Sequence, residues 1–238
     1  MINEKERIDD LQCRGYRIIQ SPDGYCFTGD SVLLSNLASV KKNDRVVDLC
    51  TGSGVIALLI NAKYSPSEVV GVELQPRLAD MAVRSVELND AKNVKIVNAP
   101  LQGVHKIIGS GYDAVTVNPP YGKICEKEEY TEEDICKYEV SVTLEEIIKE
   151  SSLLLRYGGS FYMINKAGRL IDTVCLMRKY GIEPKKINFV QPKINKDADT
   201  FVVEGKRGGK SFVTVPPTII VYKENGEYTD EVRSLYNK

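Results

Sequence analysis

From Arg45 onward, short runs rich in β-branched residues alternate with longer segments in which apolar positions recur at helical spacing. That alternation predicts a mostly parallel sheet with helices on both faces. The runs place strands near Arg45–Leu49, Val69–Leu74, Val94–Val97, Ala114–Asn118, Ser160–Ile164, Lys186–Val190 and Thr200–Glu204, a seven-stranded α/β sheet. Between them, Val55–Tyr64 puts Ile56, Leu59 and Ile60 on one helical face, and Pro76 opens a helix reaching about Asn89. An amphipathic helix over Leu144–Leu155 is expected to stop at Gly158-Gly159, and another over Gly168–Tyr180 to stop at Gly181. The 238 residues fit one domain, with 1–44 as a segment beside the ligand and substrate and 45–238 as the α/β core.

The apolar run Tyr112–Val117 ends in Asn118-Pro119-Pro120-Tyr121. This places a rigid amide and an aromatic ring at a strand end, an arrangement suited to methylating a planar NH2 group. The lone pair of such an amine is delocalised into its π system, so it must be localised before it can act as a nucleophile. If the Asn118 side-chain oxygen and the Pro119 carbonyl each accept one N–H, the lone pair is freed to face an electrophile. The prolines have no N–H to compete, and each holds the residue before it extended. Tyr121 offers a face for stacking.

A second motif, Asp48-Leu49-Cys50-Thr51-Gly52-Ser53-Gly54, joins the first strand of the sheet to its first helix. Gly52 and Gly54 let a ligand approach the backbone, and Glu73, nineteen residues beyond Gly54, ends the next strand where it can bind both hydroxyls of a ribose. Ala57 completes Gly-x-Gly-x-x-Ala, so a nicotinamide or flavin dinucleotide is a rival ligand. Its pyrophosphate would meet the Asp48 carboxylate, whereas the ammonium and sulfonium of S-adenosylmethionine would be favoured there. Leu74 either packs on adenine or is ordinary core. Asp30 either caps the helix that follows it or faces the ligand's ammonium.

The chain carries a formal charge of −1, unevenly spread. Lys123 to Glu150 holds four basic and ten acidic residues, a local −6, and the acidic stretch 125–134 is expected to be a lid. Arg156 to Lys210 holds twelve Lys or Arg and five acids, a local +7, a candidate nucleic-acid footprint. Six cysteines without Cys-x-x-Cys spacing, and no secretory or membrane-spanning segment, point to reduced thiols and a cytoplasmic protein. His105 is the only histidine and is expected at a surface helix position, which argues against Ser-His-Asp or Cys-His catalysis. No metal is expected.

These residues resemble class I S-adenosylmethionine-dependent methyltransferases that carry Asn-Pro-Pro-Tyr, and within them the bacterial tRNA(Val) adenine-37 N6-methyltransferases. The resemblance extends over Arg7–Leu11, Phe27–Leu34, Asp48–Gly54, Glu73, Asn118–Tyr121, Glu139 with Leu144-Glu145-Glu146, Glu183–Lys186 and Val203–Lys206. It implies a Rossmann-like fold and S-adenosylmethionine held by Phe27, Thr28, Asp30, Asp48, Thr51, Gly52, Gly54, Glu73, Leu74, Asn98, Leu101 and Asn118. Asn118, Pro119 and Tyr121 would act on the base. Tyr121, Lys166, Arg169, Lys185, Lys186, Lys206, Arg207 and Lys210 would hold the tRNA. The chain departs from the pattern at Asn98-Ala99-Pro100-Leu101, which lacks the usual acid, and at Tyr138, where relatives often have His. A monomeric RNA N6-adenine methyltransferase is expected. Glutamine methylation of a release factor and a weakly catalytic cofactor-binding RNA module remain as alternatives.

Overall fold

The computed structural model describes residues 2–22, 26–122, 131, 134–135, 139 and 141–236. Most of the lid expected over 125–134, and Cys125, Cys136 and Tyr138, lie outside the described residues. In chain order the elements are β1 (Arg7–Asp10), β2 (Arg17–Gln20), α1 (Gly29–Leu37), β3 (Arg45–Leu49), α2 (Val55–Tyr64), β4 (Glu68–Glu73), α3 (Pro76–Leu88), β5 (Val94–Asn98) and α4 (His105–Ile108). They continue with β6 (Tyr112–Val117), α5 (Leu144–Leu154), β7 (Leu155–Lys166), α6 (Leu170–Lys179), β8 (Ile182–Gln191), β9 (Thr200–Arg207), β10 (Ile219–Ile220) and α7 (Asp230–Tyr236).

The main sheet has eight strands in the order β10-β8-β9-β7-β6-β3-β4-β5. All seven predicted strands are present, and the eighth is the two-residue β10, too short to leave a pattern. Every pairing is parallel except those of β9, which runs antiparallel to both β7 and β8. Because the central strands are covered on both faces, Val46 packs into one apolar cluster and Val47 into the other. Helix α2 is buried from Val55 to Ala62, not on one face alone, because α1 covers its outer side.

Two features depart from the expected pattern. Residues Arg7–Asp10 and Arg17–Gln20 form a separate hairpin seated on α3, where Ile19 meets Leu78 and Met81 and the Arg84 guanidinium holds Glu6 through two 2.7 Å bonds. That pair keeps the Glu6 carboxyl well below its usual range, at about 2. Secondly, Gly158-Gly159 do not stop α5. The helix ends at Leu154 and β7 begins at the next residue, so the glycines fall within the strand, where the pairing with β6 shifts register. A Cβ on Gly159 would lie 2.9 Å from the Arg156 carbonyl oxygen and 3.1 Å from that of Tyr112. At the other end of α5, Thr143 and Glu146 form a reciprocal capping box, a start signal present in the sequence as Thr-x-x-Glu.

His105 is not simply a surface helix residue. It opens α4 with its Nδ1 2.6 Å from an oxygen of the buried Glu150, which also accepts the His105 backbone N–H. Cys13, Cys26, Cys50 and Cys175 form no disulfide. Among the described residues, no helix is long and apolar enough to cross a membrane.

Candidate active site

The parallel strands β3, β4, β5 and β6 all end on one edge of the sheet, and the turns that follow them enclose a cavity of about 840 Å³ counting its open mouth. Such edges gather ligands because backbone groups freed at the strand ends converge there. After β3, Cys50 at φ 56° and the Gly52 and Gly54 backbones at φ 59° and 90° fold the chain sharply into α2. Left-handed conformations favour glycine, and a Cβ on Gly54 would also press within 3.2 Å of Ala82. Cys50 adopts this region without being glycine, a strain concentrated at the cavity wall.

Glu73 lines the cavity at the end of β4 and is almost fully buried. One carboxyl oxygen accepts the Gly52 N–H at 2.8 Å and the other accepts the Gln75 N–H at 2.9 Å. Burial raises its pKa, and the donated backbone N–H groups oppose the rise. The loop and the acid expected to share a ligand are therefore already tied together.

Of the residues expected to hold a cofactor, Phe27, Thr51, Gly52, Glu73, Leu74, Leu101 and Asn118 line the cavity, while Thr28, Asp30, Asp48, Gly54 and Asn98 do not. Leu74 lies just outside β4 and is 39% exposed, so it is not core. Asp48 is the main correction. Its carboxylate is wholly buried beneath the loop, one oxygen accepting the Thr51 hydroxyl at 2.6 Å and the other the Thr116 hydroxyl at 2.7 Å. Burial raises its pKa to about 7, with the two hydroxyls opposing and Glu73 reinforcing the rise. A carboxyl so placed neither faces a ligand nor repels a pyrophosphate as a full charge, so the electrostatic case against a dinucleotide fails. Asp30 is not the helix cap either: Thr28 holds that position, and Asp30 sits in the first turn of α1. Asn98 braces strand ends, donating to the Glu73 and Leu74 carbonyls at 2.9 Å each.

Asn118 follows β6 at the cavity wall, and Pro120 lines it too. The Asn118 Nδ2 donates to Ser31 Oγ at 3.1 Å, and its Oδ1 accepts from the Tyr121 hydroxyl. That hydroxyl also lies 3.0 Å from Asp30 Oδ2, and with a single hydrogen it donates to one oxygen at a time. Ser31 and Tyr121 thus set which way the amide points, and Oδ1 keeps a second lone pair for another donor. Ser31 was legible only as part of Phe27–Leu34, since nothing in its local pattern pairs it with a residue 87 positions away.

The expected RNA-binding cations separate. Lys166, ending β7, holds its Nζ 5.2 Å from the Tyr121 ring centroid, on a face expected to stack with a base. Arg169 is committed elsewhere, 2.8 Å from Glu139 and 3.5 Å from Asp172. Lys185, Lys186, Lys206, Arg207 and Lys210 lie towards the opposite edge of the sheet. Because β9 is antiparallel, Thr200 pairs with Lys166 beside the site, while Lys206 pairs with Ser160 at the far end of β7.

Residues 26–180 match the family described as Methyltransferase small domain. A tRNA1(Val) (adenine(37)-N6)-methyltransferase of Aliivibrio salmonicida is 22% identical over 205 residues, 86% of each chain. The one of Pedobacter heparinus is 24% identical over 215 residues, 87% of each. Among solved structures, a predicted O-methyltransferase from Agrobacterium tumefaciens superposes with a TM-score of 0.72 at 20% identity, covering 87% of this chain and 95% of that one. Geranyl diphosphate C-methyltransferase from Streptomyces coelicolor, solved with S-adenosyl-L-homocysteine, gives 0.56 at 14% identity, covering 75% and 78%. The matched span runs from the cavity-lining Phe27 to the end of α6 and takes in both the glycine loop and Asn118, and by that match the chain belongs to the Methyltransferase small domain family.

Proposed function

We propose that this protein methylates the exocyclic N6 of an adenine in RNA, adenine 37 of a tRNA(Val) anticodon loop being the substrate its relatives point to. It is an S-adenosylmethionine-dependent methyltransferase, and the cofactor supplies an electrophilic methyl group on a sulfonium. The cavity fits that group. Glu73 offers buried carboxylate oxygens suited to a ribose diol, the Gly52 backbone lies open, and Phe27 and Leu101 give apolar walls for adenine.

The observation that carries the reading is Asn118: an amide on the wall of this cavity, its orientation held by Ser31 and Tyr121. With Oδ1 directed by those bonds, the amine hydrogens of the base would have that oxygen and the carbonyl of Pro119, the next residue, as their two acceptors. Neither acceptor has to remove a proton before transfer, because methylation itself acidifies the nitrogen and the surplus proton then leaves to water. Orientation and exclusion of water would supply most of the acceleration.

The test offers purified protein and S-adenosylmethionine both unmodified tRNA(Val) and a bacterial release factor, and analyses the products by mass spectrometry. N6-methyladenosine at position 37 is expected. A methylated release-factor glutamine would overturn the RNA assignment, and cofactor binding without product on either substrate would leave a binding module.

A further inference from the structure

The sheet edge opposite Asn118 carries a surface that the catalytic site does not use. Along the eight residues of β9 the chain passes from Thr200, beside Lys166, to Arg207, which pairs with Ile182. That span is about 24 Å at the ordinary antiparallel rise. At its end Tyr157 is 77% exposed yet fixed: its hydroxyl donates to the Gly208 carbonyl at 3.0 Å, and the ring packs so closely that a Cβ on Gly208 would meet it at 2.0 Å. Phe212, 75% exposed, lies on the segment that joins β8 through the Lys185 carbonyl and the Thr214 N–H.

Around these rings stand Lys185, Lys186, Lys206, Arg207 and Lys210. Lys206 reaches Ser160 Oγ and the Gly158 carbonyl, Arg207 the Leu155 carbonyl, and Lys185 the Lys210 carbonyl. All of these acceptors are uncharged, and among the described residues no carboxylate forms an ion pair with any of the five cations, although Glu183 stands across from Lys206 and Glu204 across from Lys186 in the β8–β9 register, which leaves the patch net positive. Their neighbours differ, since Arg156 is matched by Asp113 at 2.6 Å and Arg178 by Glu183 at 2.7 Å. Net positive charge beside a pre-fixed aromatic face suits the phosphates and exposed bases of a nucleic acid. Tyr157 loses little conformational freedom on stacking, because its hydroxyl bond already holds the ring.

We infer that this far edge is a second RNA-docking surface, gripping the substrate up to a strand's length, about 24 Å, from the end of β9 that lies beside Lys166. The inference rests on the RNA reading given above. It explains why five cations stand where they cannot reach the target base, and it implies that a substrate must be long enough to touch both edges.

The test measures kcat and KM for full-length tRNA(Val) and for an oligonucleotide containing only the target loop, using wild type, Lys186→Glu/Lys210→Glu and Tyr157→Ala. All three positions are exposed, and matching thermal melts establish that the variants fold. KM for full-length tRNA should rise about tenfold or more in the charge-reversed variant, with a shallower salt dependence and unchanged kcat, while KM for the loop oligonucleotide moves less than about twofold. An unchanged KM for full-length tRNA would overturn the inference. Equal losses on both RNAs would also overturn it, as a general charge effect. Wild type that methylates neither RNA would instead refute the underlying reading.

Discussion

Replacing Asp48 with Asn probes how the glycine loop is supported. In the folded protein burial holds the Asp48 carboxyl at about 7, against 3.8 when it is unperturbed. A raised pKa means that the native state keeps a proton the unfolded chain has given up. The group's stabilising contribution is therefore full below about pH 4, declines as pH rises towards 7, and is absent above that. Each pH unit across that window is worth ~1.4 kcal/mol, so wild type should lose roughly 3 kcal/mol from this group between pH 5 and pH 8. Asp48→Asn keeps the shape but does not titrate. Its oxygen can accept one of the two threonine hydroxyls and its NH2 can donate to the other, which must rotate, for a cost of about 1 kcal/mol that does not vary with pH. Urea unfolding at several pH values reads the difference directly. The gap in unfolding free energy between variant and wild type should move in the variant's favour by roughly 3 kcal/mol from about pH 5 to about pH 8. Glu73, also raised by burial, is present in both proteins, so its titration largely cancels in the comparison. A gap that stays constant would show that Asp48 is ionised in both states, and the account of the buried loop support would fall.

Further substitutions separate the roles of the site. Asn118→Ala should lower kcat by about two to three orders of magnitude while leaving the dissociation constant for S-adenosylmethionine within a fewfold of wild type, measured by single-turnover kinetics and calorimetry. Equal loss of both would contradict the assignment. Tyr121→Phe removes the hydroxyl that orients the Asn118 oxygen and should cost kcat about tenfold with little change in cofactor affinity; unchanged kcat would refute the orienting role. Glu73→Ala should weaken S-adenosylmethionine binding by about one to two decades, and an unperturbed calorimetric titration would remove Glu73 from the cofactor site. Gly159→Ala sets a methyl against two carbonyl oxygens that belong to backbone and should lower unfolding free energy by about 1 to 3 kcal/mol, checked by chemical denaturation.

The sheet was legible because its central strands are buried on both faces, which leaves uninterrupted apolar runs such as Val46-Val47 and Val69-Val70 whatever the surrounding detail. The turn chemistry was legible for the same local reason: Gly54 and the Asn118 prolines signal their backbone geometry within a few residues. What local pattern does not encode is direction and depth. The sequence places Asp48 beside a ligand loop, but whether its carboxyl points into the cavity or under it depends on Thr51 and on Thr116, 68 positions away. Similarly, Lys206 and Lys166 belong to one basic stretch, and only the antiparallel course of β9 sets them at opposite ends of a strand pair. A strand's apolar pattern is the same read in either direction, so hydrophobicity alone carries no information about which edge its charges reach. The same reversal moves the expected phosphate contacts away from Asn118 while leaving the patch they form net positive, and that displacement is the ground for assigning them to a more distant part of the same RNA.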